Sequence, residues 1–565
     1  MNLFHERGTE RQTSPWNRIN WNAVTETVRR MQTRIVKALE HGQVGQAKKL
    51  QRLLVHSTSA KLLAVRQVVS NRGKNTPGID GVVWKTPRAK YQAAIKLKSQ
   101  GYKALPLRRV YIPKSSGSGQ RKLGIPTMYD RAMQALYALA LAPIAEVLAD
   151  PNSYGFRKER SVADAIAQCF CILAKKNQAV YVLEGDIQAC FDEISHQWVL
   201  RHIPLPDEVL EQWLKSGVLD GGKLEETTEG TPQGGIISPT ICNMVLDGLE
   251  TLLSETFGGS RKARYGNKVY LIRYADDFII TGVSKELLEE EVMPLVKDFL
   301  AERGLKLSES KTRITHINDG FNFLGFHLRK YDGKLLIKPS KKSVKQILTK
   351  IRTLIKHARS WSTGRLIDEL NRVIRGWANF YRHVVSKETF GRIDYEIWKS
   401  LCKWARRRHR KKTCAWRNTR YFTLDNGMWG FRDPMTGKTL LRMMSFPIQR
   451  YVKIRSDVNP YDPEWEMYLE QRRQRRTSWA NVTNTRSTLW KRQDGKCPWC
   501  GGDLRLDIEA SETFHVHHKV WKCHGGSETI QNKQLLHDVC HRQLHALHDS
   551  TGAGTGQVAD LAFDG

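Results

Sequence analysis

Asp276 and Asp277 stand side by side within residues 269–281, V-Y-L-I-R-Y-A-D-D-F-I-I-T. Runs of β-branched and aromatic residues flank Tyr274-Ala275-Asp276-Asp277, which predicts a β-hairpin with two carboxylates at its tip. Adjacent carboxylates repel, and burying them unpaired is costly. A divalent cation resolves this, because hard cations take carboxylate oxygens; an acidic turn is the plain alternative. A third carboxylate, Asp186, closes the apolar run V-Y-V-L-E-G-D at 180–186, 90 residues before Asp276. Three carboxylates on two strand ends can bind two divalent ions about 4 Å apart, an arrangement that activates a 3′-hydroxyl and stabilises a pyrophosphate leaving group.

A second constellation lies near the C-terminal end. Cys497-Pro498-Trp499-Cys500 and His537-Asp538-Val539-Cys540 are two pairs of equal spacing separated by 36 residues, which suits a tetrahedral zinc site. A redox C-x-x-C is the alternative, but no βαβ pattern surrounds it. His515-Val516-His517-His518 and Asn532 lie between the pairs, and His541 and His545 follow them.

These groups need elements to position them. Residues 21–39 and 43–69 have apolar residues at helical spacing, and a turn cluster at 76–81 closes that part. R-R-V-Y-I-P-K at 108–114 and R-K-L-G-I-P at 121–126 read as two basic strands around a Gly/Ser loop. Lys114 and Arg121 there would be a point donor and a fork donor to phosphate. Asp130-Arg131 is expected to cap an apolar helix over 132–149, whose Gln134, Pro143 and Glu146 mark it as buried rather than membrane-spanning. Residues 285–303 are expected to form one amphipathic helix between Ser284 and Gly304. Residues 338–420 hold 24 Lys and Arg against five Asp and Glu, and R-G-W-A-N-F-Y at 375–381 interleaves base and aromatic. That pattern suits phosphate neutralisation with base stacking, a solvated basic helix being the alternative.

The 565 residues are enough for about three to four domains. A formal net charge of +34 points to a polyanionic partner, nucleic acid before an anionic membrane surface. The polar first 20 residues contain no secretory signal pattern. Ten cysteines in so long a chain do not make a disulfide scaffold, so a reducing cytosol is expected.

The ordered set L-E-G-D-I-x-x-C-F-D (183–192), S-Y-G-F-R (153–157), T-P-Q-G-G-I-I-S-P (231–239), Y-A-D-D (274–277), G-L-K-L-S (304–308) and F-L-G (323–325) resembles the motifs of reverse transcriptases. R-G-W-A-N-F-Y is similar to the maturase region of group II intron-encoded proteins, and residues 497–545 resemble an HNH endonuclease. The whole resembles a bacterial group II intron-encoded protein.

The resemblance implies an α+β multidomain fold. Its parts would be a helical N-terminal extension at 1–80, right-hand polymerase fingers and palm at 81–335, and an α-helical thumb/maturase domain at 336–425. A DNA-binding linker at 426–485, a small ββα-metal HNH domain at 486–550 and a flexible tail at 551–565 would follow. It implies Mg2+ held by Asp186, Asp276 and Asp277, with Phe191 against the sugar of the incoming nucleotide and Gln233 beside that nucleotide. In the nuclease, His518 would be the general base, His517, His541 and His545 would hold a divalent ion, and Asn532 would brace the loop of His518. Cys497, Cys500, His537 and Cys540 would hold structural Zn2+. The chain departs from the usual pattern at His537, where cysteine is common, and at His515, where an acid is frequent.

The implied partners are intron RNA, target double-stranded DNA and deoxynucleoside triphosphates, with no membrane and room for a homodimer. The implied place is the bacterial cytoplasm, at the nucleoid. The implied activities are target-primed reverse transcription, assistance to intron splicing and nicking of the second DNA strand. The alternatives are a reverse transcriptase of another lineage and a splicing maturase with an inactive nuclease.

Overall fold

The computed structural model describes residues 14–71, 73–113, 119–258, 263, 266–425, 428–479, 484–504, 514–521 and 524–551. Four helices come first: α1 (Trp21–Glu40), α2 (Val44–His56), α3 (Thr58–Ser70) and α4 (Pro87–Lys96). Asn20 starts α1 by accepting the Ala23 N–H at 3.1 Å. The periodic run expected over 43–69 is two helices, because Ser57 is extended (φ −63°, ψ 130°) and breaks it. Val24, Val28 and Ile35 of α1, Leu50 and Leu54 of α2 and Leu62 and Val65 of α3 enclose α5 (Met128–Leu148). That helix is the one described helix long and apolar enough to cross a membrane, and it lies mostly buried in this core. Its cap is Thr127 rather than Asp130. Thr127 Oγ1 accepts the Asp130 N–H at 3.1 Å and donates to Asp130 Oδ2 at 2.6 Å, so Asp130 holds the cap rather than being it.

β1 (Leu107–Pro113) and β2 (Gln120–Ile125) form the expected basic hairpin, extended by β4 (Val218–Asp220) and β5 (Lys223–Glu225) in the order β2-β1-β4-β5. The central sheet has the order β6-β7-β3-β8, all antiparallel, from β3 (Tyr181–Asp186), β6 (Leu271–Tyr274), β7 (Asp277–Gly282) and β8 (Arg313–His316). α6 (Val162–Leu173) packs beside it. Gly185 has to be a glycine, since a Cβ there would lie 2.2 Å from the Phe278 ring across the ladder.

The amphipathic helix expected over 285–303 is interrupted. Leu287–Val292 is π-helical and Met293–Ala301 is α-helical. Pro294 has no N–H to give the turn before it, so the ladder widens there. Ser284 Oγ caps the start by accepting the Leu287 N–H at 3.1 Å.

A three-stranded sheet, β9 (Phe321–Phe323), β10 (Phe326–Tyr331) and β11 (Lys334–Pro339), leads into helices Lys341–His357, Thr363–Tyr381, Lys387–Arg408 and Cys414–Tyr421. The R-G-W-A-N-F-Y stretch differs from its expected role. Tyr381 is buried, and Trp377 and Phe380 are half-buried against Phe326 and Phe390, with ring centroids 4.4–5.9 Å apart. These rings pack into the joint between helix and sheet, Phe380 and Tyr381 against Phe326 of β10 and Trp377 against Tyr381 and Phe390.

The segment after β12 (Phe422–Asp425) and β13 (Met428–Phe431) returns to α6. There the fully buried Asp164 accepts from Ser161 N and Oγ, Tyr451 Oη, Ile454 N and Arg472 Nη2, at 2.5–3.0 Å. Arg473 pairs with Glu159 at 3.4 Å and Asp503 at 3.0 Å. The arginines at 472–473 are therefore engaged inside the fold. The chain ends in β14 (Phe514–His518), β15 (Lys533–His537) and helix Asp538–Thr551, which lie against the N-terminal helices.

Candidate active sites

The register of the central sheet sets Asp186 at the end of β3 directly opposite Asp277 at the start of β7. Tyr274 pairs with Asp277, so Ala275 and Asp276 form a two-residue turn, with Ala275 left-handed at φ +57°. The S-Y-G-F-R loop holds that turn from behind. Tyr154 N donates to Arg273 O at 2.9 Å, and Arg273 N donates to Asn152 O at 3.0 Å. Gly155 lies so close that a Cβ would sit 2.4 Å from Ala275 N. Arg273 is fully buried, paired with Asp247, and donates to Asn243 Oδ1 at 3.3 Å, while Asn243 Nδ2 donates to Gly155 O at 2.7 Å. Arg157 is likewise internal, bonded to Glu146 at 2.8 Å and to the Asp150 and Ser153 carbonyls. Sequence reasoning marked this loop as basic and aromatic and missed its part as a buttress; its glycine was the available signal.

Lys311, from the loop after G-L-K-L-S, donates to Asp186 Oδ2 at 2.6 Å, and Ser308 N donates to Asp186 O at 2.8 Å. Burial raises Asp276 above its ordinary value, and the Asp186 charge adds to it. The enclosing protein, then the charges of Asp276 and Asp186, push Asp277 up to about 6, although its carboxylate opens to solvent. The set carries more negative charge than Lys311 balances, and a lone ammonium already occupies one carboxylate. Divalent cations fit such a donor set.

Phe191 lies on the short helix Cys190–Glu193, entered through left-handed Ala189 (φ 40°), and is half-buried against the core. Thr231 N donates to Phe191 O at 2.6 Å, which ties the T-P-Q-G-G loop to it. Gln233 Nε2 donates to the Asp192 carboxylate at 3.2 Å, and the Gln233 backbone carbonyl accepts from Gly124 N at 2.8 Å. Asp192, given no role from sequence, thus aims the Gln233 amide. Arg121 is exposed on β2, and its charge offsets that of Asp276. Lys114 lies outside the described residues.

In the C-terminal module the ligand atoms of Cys497, Cys500, His537 and Cys540, all buried, lie within 4.8 Å of one another. His537 Nδ1 is 3.3 Å from Cys500 Sγ, while Nε2 contacts Asp503 O at 3.1 Å. An imidazole anchored at one nitrogen and turned to three thiols at the other suits zinc, with histidine as fourth ligand. His517, His541 and His545 form a second group within the same limit. His541 and His545 are one turn apart on helix Asp538–Thr551 and face His517 on β14. Burial, then His545 and His515, push His541 down to about 4, so it is neutral and able to bind a metal. Asn532 ties the segment after His518 to Ser527: Oδ1 accepts from Val520 N at 2.8 Å, and Nδ2 donates to Val520 O at 3.0 Å and Ser527 O at 2.9 Å. His518 Nε2 is buried, makes no hydrogen bond among the described residues, and lies 3.5 Å from Glu528 Oε2. His515 meets Asp538 at 3.1 Å and stacks on His541.

These features define a nucleic-acid enzyme with a carboxylate site and a histidine site. Four family models match in succession: N-terminal domain of reverse transcriptase at 16–97, reverse transcriptase (RNA-dependent DNA polymerase) at 112–328, group II intron, maturase-specific domain at 344–422, and HNH endonuclease at 497–547. Protein YkfC of Escherichia coli is 35% identical over 321 residues, covering 50% of this chain and 83% of that protein. The group II intron-encoded protein LtrA of Lactococcus lactis is 29% identical over 328 residues, covering 47% of this chain and 54% of LtrA. A telomerase of Candida albicans aligns at a TM-score of 0.31 and 14% identity over 57% of this chain and 63% of that one, a likeness too weak to carry weight. The chain belongs to the group II intron-encoded reverse transcriptase/maturase family and carries an HNH endonuclease domain. It spans about half the length of LtrA.

Proposed function

We propose that this protein copies intron RNA into DNA from a primer that its own nuclease cuts, and that it assists splicing of the same RNA. The observation that carries the reading is the Asp186–Asp277 register, with Asp276 in the adjoining turn. The central sheet serves as the palm, the β1–β2 hairpin as the fingers and helices 341–421 as the thumb. Two Mg2+ ions, when bound, supply the charge that favours 3′-hydroxyl attack and pyrophosphate departure. Asp186, Asp276 and Asp277 hold them. Phe191 abuts the deoxyribose and excludes a 2′-hydroxyl, and Gln233, aimed by Asp192, positions the incoming deoxynucleoside triphosphate. Arg121 and Lys114 meet its phosphates.

Helices 341–421 bind intron RNA. Two features that remain at the surface support this: Tyr395, 55% exposed and stacked with Trp398, and Trp416 between Lys412 and Arg420. In the HNH module His518 takes the proton of the attacking water, and His517, His541 and His545 hold the ion that neutralises the scissile phosphate of double-stranded DNA. Cys497, Cys500, His537 and Cys540 hold structural zinc. The DNA substrate suits a cytoplasmic, nucleoid-associated place, and a homodimer is compatible with every assignment above. Primer extension on poly(rA)/oligo(dT) with Mg2+ tests the central claim: incorporation of dTMP is expected, and its absence from a folded, RNA-binding preparation sinks it.

A further inference from the structure

The zinc cluster has a neighbour that belongs to neither the nuclease nor the linker. Arg66, on α3 and 7% exposed, points its Nη2 at Cys500 Sγ (3.5 Å) and Cys540 Sγ (3.6 Å). Its guanidinium also lies 4.7 Å over the ring of Trp21 on α1, which is buried. Three thiolates and a neutral imidazole around Zn2+ leave one net negative charge. Buried inside protein, that charge is costly unless an opposite one is hydrogen-bonded to it. Arg66 is placed to supply that charge.

The contact is not isolated. Gln543, buried on helix Asp538–Thr551, donates to Asn17 O and to Ile19 O (3.1 Å) and accepts from Trp499 Nε1 at 3.0 Å, beside the first cysteine pair. Gly501, left-handed at φ +59°, brings the knuckle so close to Asn22 that a Cβ would lie 2.7 Å from its amide oxygen. Lys74 reaches Asp538 at 3.4 Å. Cys497, Cys500 and Cys540 share one continuous core with Trp16, Trp21, Leu62 and Val65.

We infer that the Cys3His zinc site is an interdomain joint: Arg66 neutralises it, so that zinc occupancy and docking of the HNH module on the N-terminal helices are one coupled equilibrium. The inference rests on the reading of the cluster as a zinc site. With zinc bound, the cluster draws the guanidinium in and the knuckle seats on Asn17–Asn22 of the N-terminal region. Without zinc, the tie that gathers the four ligands beneath Arg66 is lost, which favours release. The nuclease is then positioned by the N-terminal helices and not only by the covalent segment that precedes it.

The full chain tests this in two ways. Zinc content comes first: a folded chain without stoichiometric zinc overturns the zinc reading and the joint with it. In the zinc-loaded wild type, 1,10-phenanthroline is added and amide hydrogen exchange is followed. Faster exchange in 58–70 and 15–24, alongside the module itself, is expected. Loss of protection confined to 484–551 overturns the joint while leaving zinc intact as a reading. Second, Arg66→Met should speed zinc transfer to a chromophoric chelator by about tenfold or more, and Arg66→Lys, which keeps the charge without the fork, should fall between. An Arg66→Met rate equal to wild type, in a chain with unchanged circular dichroism, overturns the inference.

Discussion

Of the three clusters in this chain that suit a divalent ion, the carboxylates of the central sheet and the three imidazoles of the C-terminal module are built with opposite electrostatics. On the central sheet, three carboxylates crowd together, Asp277 rises to about 6, and Lys311 covers only part of the charge. In the C-terminal module, three imidazoles meet, and burial takes His541 down to about 4, so that ring is neutral. The imidazole ligand atoms gather within 4.8 Å; the carboxylates, among the described residues, are not gathered so tightly. The difference is physical. Like charges hold apart until a cation arrives, whereas neutral rings pack like any other core side chain. The carboxylate site is held in place by a rigid turn, and the histidine site by one helix face and one strand.

The comparison can be broken most directly at its centres. Asp276→Ala should cut primer extension by at least roughly a thousandfold while leaving intron RNA splicing intact; loss of both activities would show that the two are not separable. His518→Ala should reduce second-strand nicking about a hundredfold or more without weakening RNA binding, and persistent nicking would remove His518 as the base.

The dependence of the carboxylates on a rigid turn is sharpened by Gly155→Ala. Its Cβ would collide with Ala275 N, so primer extension should fall on the order of tenfold to a hundredfold, with nicking untouched. Unchanged extension would mean that the turn tolerates displacement.

The smallest effect tests the charge contrast. Asp277 has a folded value of about 6 against 3.8 for an ordinary aspartate. Between those values the folded chain binds more protons than the unfolded one, so stability without Mg2+ falls as pH rises through that window. Solvent at the exposed carboxylate screens part of this. Asp277→Asn should raise the Mg2+-free Tm above pH 6 by on the order of 2 °C, and should remove the further rise that Mg2+ gives the wild type. Melting curves over pH 4–8 that superimpose for the two proteins would refute it.

Much of both sites was legible in the amino-acid sequence. Strand alternation around Tyr274–Asp277 and the apolar run ending in Asp186 foretold two adjacent strand ends. The equal spacing of Cys497/Cys500 and His537/Cys540 foretold one cluster, whose ligand atoms lie within 4.8 Å of one another. What misled was composition read without partners. The R-G-W-A-N-F-Y aromatics looked like an open stacking surface, yet Tyr381 is buried and Phe380 is half-buried against Phe326 of β10. Arg472 and Arg473 lie in the segment expected to be a DNA-binding linker and are engaged by Asp164, Glu159 and Asp503. The expected single helix over 285–303 carries a π-helical stretch, and Pro294 was the unread sign of it.

The amino-acid sequence by itself determined which chemistries this chain could host. Local period, turn residues, ligand spacing and net charge are properties of neighbouring residues, and they act through backbone geometry alone. Only the tertiary structure decided what stands behind each site. Gly155 lies beneath Ala275 across more than a hundred residues, and Arg66 reaches the Cys500 and Cys540 thiols across more than four hundred. Such partners are chosen by which surfaces bury one another and which buried charges then require an opposite, and no local pattern encodes that choice.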